Sequence, residues 1–315
     1  MYDVPQLKET ITITDGTVEC PVRGCTTSVE RARGKEPLRQ PKFLCEPHGI
    51  YVSSSTFEYA DEWDNLLWRD ESDRQLMGAI KTTKRESRLA RDNSEDALTW
   101  NVFRYLEKSG RLGSIVDAEL ENAQPAFWSF SQSVGGVVPA LQRARAEFGE
   151  AASRGSEPDV IIEAPGRMIW IEAKLGSSNE TLPSNPADNK KYLTGGDGWF
   201  GKAFVSEYGT VALDAKRYEL MRLWLLGSWA AAQDGSEFFL INMTRQESPE
   251  SSFASHIAKL ANAHFVTASW EQFYRWLENQ PRTTESDRLL KHLREKSAGY
   301  RNGRLEPAFA TLGAG

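Results

Sequence analysis

The sequence lacks the features that mark membrane or secreted proteins. No apolar run in its 315 residues approaches the roughly 18 residues that a membrane-spanning helix needs. The N-terminus does not show the basic and then apolar pattern of a signal peptide. Three cysteines are too few, and odd in number, for a disulfide framework. These absences predict a cytoplasmic protein without a membrane partner.

Positive charge is not in excess either. The chain has 38 lysines and arginines against 44 acidic residues, a formal net charge of −6. This balance mildly disfavours nonspecific nucleic-acid binding, although it leaves room for a local basic surface. The hydrophobic fraction of 40% is ordinary for a globular protein, and the length allows more than one domain.

The few cysteines fall together near the N-terminus, beside a histidine. Cys20 and Cys25 form a C-x4-C pair, and Cys45 and His48 form a C-x2-H pair further along. Two short ligand pairs separated by a loop are typical of a tetrahedral structural Zn²⁺ site. We therefore predict a zinc-binding module over residues 1–58, similar to zinc ribbons or treble-clef-like knuckles. The alternative is three buried thiols and an incidental histidine.

The loop between these ligand pairs is basic, with five lysines and arginines against two glutamates. A basic loop on a rigid zinc module suits contact with DNA phosphates. The candidate contacts are Arg31, Arg33 and Lys35. The alternative is a solvated loop or a surface for protein contact.

The stretch from Pro158 to Gly176 predicts a hairpin of two apolar strands with charges gathered at one end. If the turn is centred on Pro165-Gly166, Asp159 lies opposite Glu172, and Lys174 lies on the same face. Facing carboxylates repel each other unless a cation lies between them. A hard divalent ion such as Mg²⁺ takes oxygen ligands of this kind.

Pro158-Asp159 followed by Glu172-Ala173-Lys174 resembles the PD-(D/E)xK nuclease superfamily, which includes many restriction endonucleases. The resemblance covers roughly residues 93–280 and implies an α/β (α+β) core, in which helices flank a central mixed sheet. It implies that Asp159 and Glu172 hold Mg²⁺ or Mn²⁺ and that Lys174 acts on the attacking water. It also implies an acidic residue on a preceding helix, for which Glu95 fits best and Asp96 is the substitute.

Four segments are predicted along the chain. They are the zinc-binding module at 1–58, a helical connector at 59–92, the nuclease core at 93–280, and a C-terminal helix and loose tail at 281–315. A long polar loop follows Lys174, and the next helix begins near residue 215. Basic residues in this region are candidate phosphate contacts: Lys190, Lys191, Lys202, Lys216 and Arg217.

The predicted function is a metal-dependent endonuclease that hydrolyses DNA, in restriction or defence against foreign DNA. Cutting both strands needs two active sites, which a homodimer would supply. The acidic net charge is compatible with control by a companion protein of a defence system. Two alternatives stay open: a nuclease of the same fold acting on branched DNA or RNA, and a non-enzymatic zinc-containing nucleic-acid-binding or adaptor protein. In the second, the hairpin charges are structural residues. A separate alternative for the hairpin is that Glu172 and Lys174 form an exposed salt bridge.

Overall fold

The computed structural model describes residues 1–83, 88–116, 119–120, 123–151, 155–176, 178–187, 189–245 and 253–309. Within them the strands are β1 (Thr17–Glu19), β2 (Ser28–Glu30), β3 (Leu44–Cys45), β4 (Ile50–Val52), β5 (Phe57–Tyr59), β6 (Gln124–Phe127), β7 (Phe130–Ser131), β8 (Gly136–Val137), β9 (Val160–Ala164), β10 (Arg167–Ala173), β11 (Glu237–Thr244), β12 (Ala263–Ser269), β13 (Ser297–Arg301) and β14 (Arg304–Pro307). The α-helices are α1 (Glu71–Thr83), α2 (Glu95–Lys108), α3 (Pro139–Glu147), α4 (Lys190–Gly198), α5 (Phe200–Ala203), α6 (Tyr218–Asp234), α7 (Trp270–Glu278) and α8 (Thr284–Arg294).

The chain divides into two compact units. The first contains Met1–Arg74, Glu86–Tyr105 and Glu271–Gly315, and the second contains Gln75–Arg85 and Leu106–Trp270. This division differs from the four predicted segments, because the end of the chain shares a unit with the zinc-binding segment.

The first unit is built from small antiparallel sheets: β1 with β2, β3 with β4 and β5, and β13 with β14. The hairpin β13–β14 is attached to the N-terminal segment, since the Leu305 N–H donates to the Glu9 carbonyl at 2.9 Å. Tyr300 lies in the same apolar core as Val18 and Ile50. The prediction of a loose tail is therefore wrong up to Phe309, which is buried; residues 310–315 lie outside the described residues.

The second unit is organised around a seven-stranded sheet with the order β12-β11-β10-β9-β6-β7-β8. Strands β10, β11 and β12 are parallel, and the remaining neighbours are antiparallel. This mixed sheet, flanked by helices, confirms the predicted α/β (α+β) fold class. Parallel neighbours need a crossover, and α6 lies in the crossover from β10 to β11.

Helix α6 packs closely on the centre of this sheet. The Phe238 ring of β11 lies 5.6 Å from the Trp170 ring and 5.8 Å from the Trp224 ring, measured between centroids. Gly227 of α6 faces the same phenylalanine, and a Cβ there would lie 2.2 Å from the ring. Glycine at this position lets the helix approach the strand. Because side chains alternate along a strand, Glu172 continues the helix-facing row that contains Trp170.

The segments between these elements depart from the predictions in one place. The predicted long loop after Lys174 contains the short helices α4 and α5, and α4 has left-handed backbone at Gly196 and Asp197 near its end. The predicted connector does contain a helix, α1, and its residues 84–87 lie outside the described ones. No helix among the described residues combines the length and the apolar character needed to cross a membrane.

Candidate metal centre and candidate active site

The four sequence-predicted zinc ligands come together in the first unit. Cys20 follows β1, and Cys25 follows a tight turn in which Gly24 has a φ of 81°. Cys45 ends β3, and His48 ends a single 3-10 turn that Gly49 closes with a φ of 59°. Both glycines adopt the left-handed conformation that other residues disfavour. The two turns thus present two ligand pairs to one point.

The distances within this Cys3His cluster match tetrahedral zinc. With Zn–S near 2.3 Å and Zn–N near 2.0 Å, a regular tetrahedron places sulfur atoms about 3.8 Å apart and sulfur about 3.5 Å from nitrogen. The Sγ atoms of Cys25 and Cys45 are 3.8 Å apart. The His48 Nδ1 lies 3.6 Å from the Cys20 Sγ and 3.4 Å from the Cys45 Sγ. All four ligand atoms lie within 4.8 Å of one another.

The surroundings of the cysteine sulfur atoms also fit metal-bound thiolates. Burial raises the pKa of the Cys20 and Cys45 thiols, while backbone hydrogen bonds from Val22 and His48 act in the opposite direction and favour thiolates. Crowded thiolates are stable only beside a positive ion. The predicted Cys3His cluster is therefore confirmed as one that could bind a metal such as zinc.

The basic loop of this unit carries fewer free charges than its composition indicates. Lys42 pairs with Glu36, and Arg39 lies 3.4 Å from Glu58. The guanidinium groups of two candidate residues donate to backbone carbonyls, Arg31 to Thr14 and Arg33 to Asp15. These two arginines line a surface depression of about 550 Å³ with Asp15, Ala32 and Gly34. The third candidate, Lys35, is exposed.

The predicted hairpin register is confirmed in the second unit. Val160 pairs with Ile171 and Ala164 with Arg167, around a turn at Pro165 and Gly166. Asp159 directly precedes β9, and its Oδ2 accepts a hydrogen bond of 2.8 Å from the Ala173 N–H. The side chain of Asp159 is thereby held at the end of β10 that carries Glu172.

Glu172 and Lys174 form a buried ion pair. The side chain of Glu172 is 3% exposed and that of Lys174 is 13% exposed. The Lys174 ammonium contacts the Glu172 carboxylate and also lies 3.2 Å from the Glu219 Oε2. The alternative in which these charges form an exposed salt bridge is therefore wrong. A buried ion pair must compensate the loss of hydration, which makes it a costly arrangement for stability alone.

Negative charge exceeds positive charge at this point. Burial raises the pKa of the Glu172 carboxyl well above its ordinary value, and the charges of Asp159 and Glu219 act in the same direction. Burial opposes the charge on Lys174, but Glu172, Glu219 and Asp159 outweigh it and raise the pKa of its ammonium. A bound divalent cation would favour the ionised form of Glu172. Three ionised carboxylates beside one ammonium would then leave two negative charges, which that cation would balance.

Two buried asparagines border this carboxylate site and escaped prediction. Asn242 of β11 is the parallel register partner of Glu172, so both side chains face α6. The Asn179 Nδ2 donates to the Asn242 Oδ1 at 2.9 Å. Both residues are fully buried. A polar residue within the apolar stretch EFFLINMT was the available signal for Asn242. Glu219, close to the predicted basic pair Lys216 and Arg217, had no comparable signal.

A strained turn supports Asp159 from the other side. Trp128 and Ser129 join β6 to β7 with φ values of 46° and 70°, a conformation that residues other than glycine rarely adopt. The Trp128 N–H donates to the Asp159 carbonyl at 2.9 Å. Such backbone strain, of about 1–3 kcal/mol per residue, is often found at functional sites.

Glu95 is described with the first unit, where it begins α2, whereas the carboxylate site lies in the second unit. Its catalytic role, and that of its substitute Asp96, stays a prediction.

The remaining basic candidates lie on the short helices after the motif and before α6. Lys190 and Lys191 begin α4, and the Lys191 ammonium lies 5.2 Å from the centroid of the Tyr192 ring. The Lys202 ammonium of α5 lies 5.1 Å from the Trp199 ring. Lys216 lies 3.8 Å from Glu180, and Arg217 immediately precedes α6.

Comparison with known proteins gives no match: no family model, no curated protein and no solved structure corresponds to this chain. The resemblance to PD-(D/E)xK nucleases depends on the motif and its local geometry alone.

Proposed function

We propose that this protein is a divalent-metal-dependent endonuclease that hydrolyses DNA phosphodiester bonds at the carboxylate site. The observation that supports this most is the excess of carboxylates over ammonium at one end of β10, around the buried Glu172. A protein that needed only a stable sheet would bury apolar residues there. A site that handles a cation and a phosphate needs both signs of charge.

Asp159, Glu172 and Lys174 have separate roles in this proposal. Asp159 and Glu172 would hold Mg²⁺ or Mn²⁺, since hard carboxylate oxygens suit both ions. When bound, the ion would polarise the phosphodiester and lower the pKa of an attacking water. The Lys174 ammonium donates hydrogen bonds, so it can orient that water and offset negative charge developing on the phosphate oxygens. The Ala173 N–H keeps the Asp159 carboxylate in place.

The first unit would assist binding of the substrate. Arg31 and Arg33, held by backbone carbonyls, would contact phosphates, which neutralises charge and makes binding sensitive to salt. A homodimer would allow both strands to be cut. A role in restriction or defence, with a companion protein, follows only from the resemblance. RNA or branched DNA as the substrate remains the alternative within the same chemistry.

The test is cleavage by purified zinc-loaded protein of supercoiled plasmid, linear duplex, single-stranded DNA and RNA, with Mg²⁺ or Mn²⁺ added or omitted. We expect metal-dependent cleavage of DNA, reduced at least about 100-fold by Glu172→Gln and by Asp159→Asn. Glu163→Gln is the matched control, because this residue lies on β9 on the same face of the sheet, away from the motif, and it should retain activity.

Unchanged thermal unfolding of each variant is required, so that lost cleavage reports lost chemistry. Cleavage that survives both Glu172→Gln and Asp159→Asn would contradict the assignment of the site. Metal-independent binding of nucleic acid without cleavage would instead favour the adaptor alternative.

A further inference from the structure

We infer that Glu219 is the third carboxylate of the divalent-cation site, the role that the sequence assigns to Glu95. This inference rests on the proposed function, which it extends to a residue outside the motif. It starts from three observations: the contact of Glu219 with Lys174, the rigidity of the segment that holds it, and unsatisfied polar atoms beside Glu172.

The contact places Glu219 at the charged end of β10. Its Oε2 lies 3.2 Å from the Lys174 Nζ, while the other side of the same ammonium contacts Glu172. Glu219 is more exposed than its partners, with 37% of its side chain accessible. It therefore lies on the open side of a site whose inner wall is Glu172. A cation entering from solvent would meet Glu219 first.

The backbone of Glu219 is fixed by the segment that follows the motif. Its N–H donates to the Thr181 Oγ1 at 2.8 Å, and the Thr181 N–H donates to the Lys216 carbonyl at 2.7 Å. Lys216 has a φ of 55°, which reverses the chain before α6. The first turn of α6 is thus attached to the loop that begins at Lys174.

A buried polar network fixes the same turn from within the unit. The Glu150 carboxylate accepts hydrogen bonds of 2.9 Å from the Tyr192 hydroxyl and the Arg222 Nε. The hydroxyls of Tyr192 and Tyr218 are 3.1 Å apart. Because Tyr218 and Arg222 belong to the same part of α6 as Glu219, this network fixes the helical turn that carries Glu219. Preorganised ligands of this kind bind an ion without the cost of ordering a loop.

Buried amide atoms on the inner side of the site also lack hydrogen-bond partners among the residues that the structure describes. Within the described part of the chain, the Asn242 Nδ2 and the Asn179 Oδ1 have no hydrogen-bond partner, although both residues are fully buried. In either amide orientation one donor and one acceptor are left over. Asn242 pairs in register with Glu172 and faces the same side of the sheet. Unsatisfied buried groups are costly, and a hydrated cation would supply the missing partners.

The test measures Mn²⁺ binding to the zinc-loaded full-length protein directly, by electron paramagnetic resonance and by isothermal titration calorimetry. We compare the wild type with Glu219→Gln, Glu172→Gln, Glu95→Gln and Glu180→Gln. Glu180→Gln is the matched control, because this glutamate is exposed and pairs with Lys216 rather than Lys174. The titrations are made in low salt and in about 0.5 M salt, where the screening length is only a few ångströms. A residue that acts on Mn²⁺ only as a distant charge loses its effect in high salt, whereas a metal ligand keeps it.

We expect Glu219→Gln to weaken Mn²⁺ binding at least about tenfold in both salt concentrations, as loss of a coordinating or closely supporting group does. Glu180→Gln should change it less than about twofold. Unchanged binding in Glu219→Gln overturns the inference, and so does weaker binding in Glu95→Gln alone. If Glu219→Gln leaves Mn²⁺ binding unchanged but Glu172→Gln weakens it, the inference about Glu219 fails and the proposed function stands. A wild type that binds no Mn²⁺ overturns both.

Discussion

The two candidate metal centres differ in what neutralises their ligands. In the Cys3His cluster the ligand atoms lie at the distances expected for tetrahedral zinc. None of the four residues is a lysine or an arginine, so the cluster itself contains no permanent positive charge. In the carboxylate site an ammonium lies against two of the carboxylates. The first arrangement would depend on a bound metal for its stability. The second has an internal cation, so a divalent ion would bind in competition with Lys174 and leave more readily, as suits a catalytic ion.

The centres also differ in how far apart along the chain their ligands lie. The zinc ligands form two local pairs, each held by one turn. The carboxylate site joins two strands, a helix start and a loop, so its geometry depends on the packing of the whole second unit. Three further measurements test this contrast, in addition to the two experiments given above.

The largest expected effect is loss of zinc. His48→Ala should release the metal and unfold the small sheets of the first unit, costing more than about 3 kcal/mol, because structural zinc sites supply folding energy directly. His264→Ala is the matched control, since this half-exposed histidine lies in the second unit, where it pairs with Glu237 and stacks on Phe239. The measurements are zinc content by elemental analysis and thermal unfolding. A wild type that is stable without metal would remove the contrast altogether.

The carboxylate site should respond asymmetrically when Mg²⁺ and Mn²⁺ are absent. Lys174→Met leaves three carboxylates without their counter-ion and should destabilise the protein by about 2–4 kcal/mol. Glu172→Gln removes one of the surplus charges and should be neutral or stabilising. Urea unfolding of the zinc-loaded variants gives both values. Equal destabilisation by the two changes would mean that Lys174 and Glu172 form a simple structural pair.

The smallest expected effect is the contribution of His292 to the loss of stability of the first unit in acid. Measuring it distinguishes protonation of this buried histidine from loss of zinc. Burial lowers the pKa of His292 well below its ordinary value, and nearby Lys296 and Arg288 act in the same direction. Its Nε2 lies 3.2 Å from the Asn101 Nδ2, the contact of a neutral imidazole accepting a hydrogen bond.

Below about pH 6.5 the unfolded chain binds a proton at His292 that the folded chain does not. Stability is therefore full above that pH and falls as the pH falls, by at most about 1.4 kcal/mol per unit. His292→Gln should flatten this slope between pH 6.5 and 5.5 in urea unfolding with excess zinc. An unchanged slope would assign the acid sensitivity to His48 and the zinc instead.

Much of the hairpin and of the zinc cluster could be predicted because both depend on near neighbours. The turn at Pro165-Gly166 fixes the pairing of Val160 with Ile171, and alternation along the strands then sets which side chains share a face. The helix-facing position of Glu172 follows from the same rule. The C-terminal hairpin was missed because the backbone groups and apolar residues it contacts lie some 290 positions earlier, at Glu9 for example.

Periodicity, turn residues and ligand spacing act over short stretches of chain, so the amino-acid order alone predicts the fold class, the candidate zinc ligands and the charged end of the hairpin. Packing of the second unit is what buries the Lys174 charge, brings Glu219 into contact with it and places Asn242 beside Glu172. These three facts require elements from distant parts of the chain to meet. Burial and charge pairing are properties of the packed unit, and no local pattern encodes them.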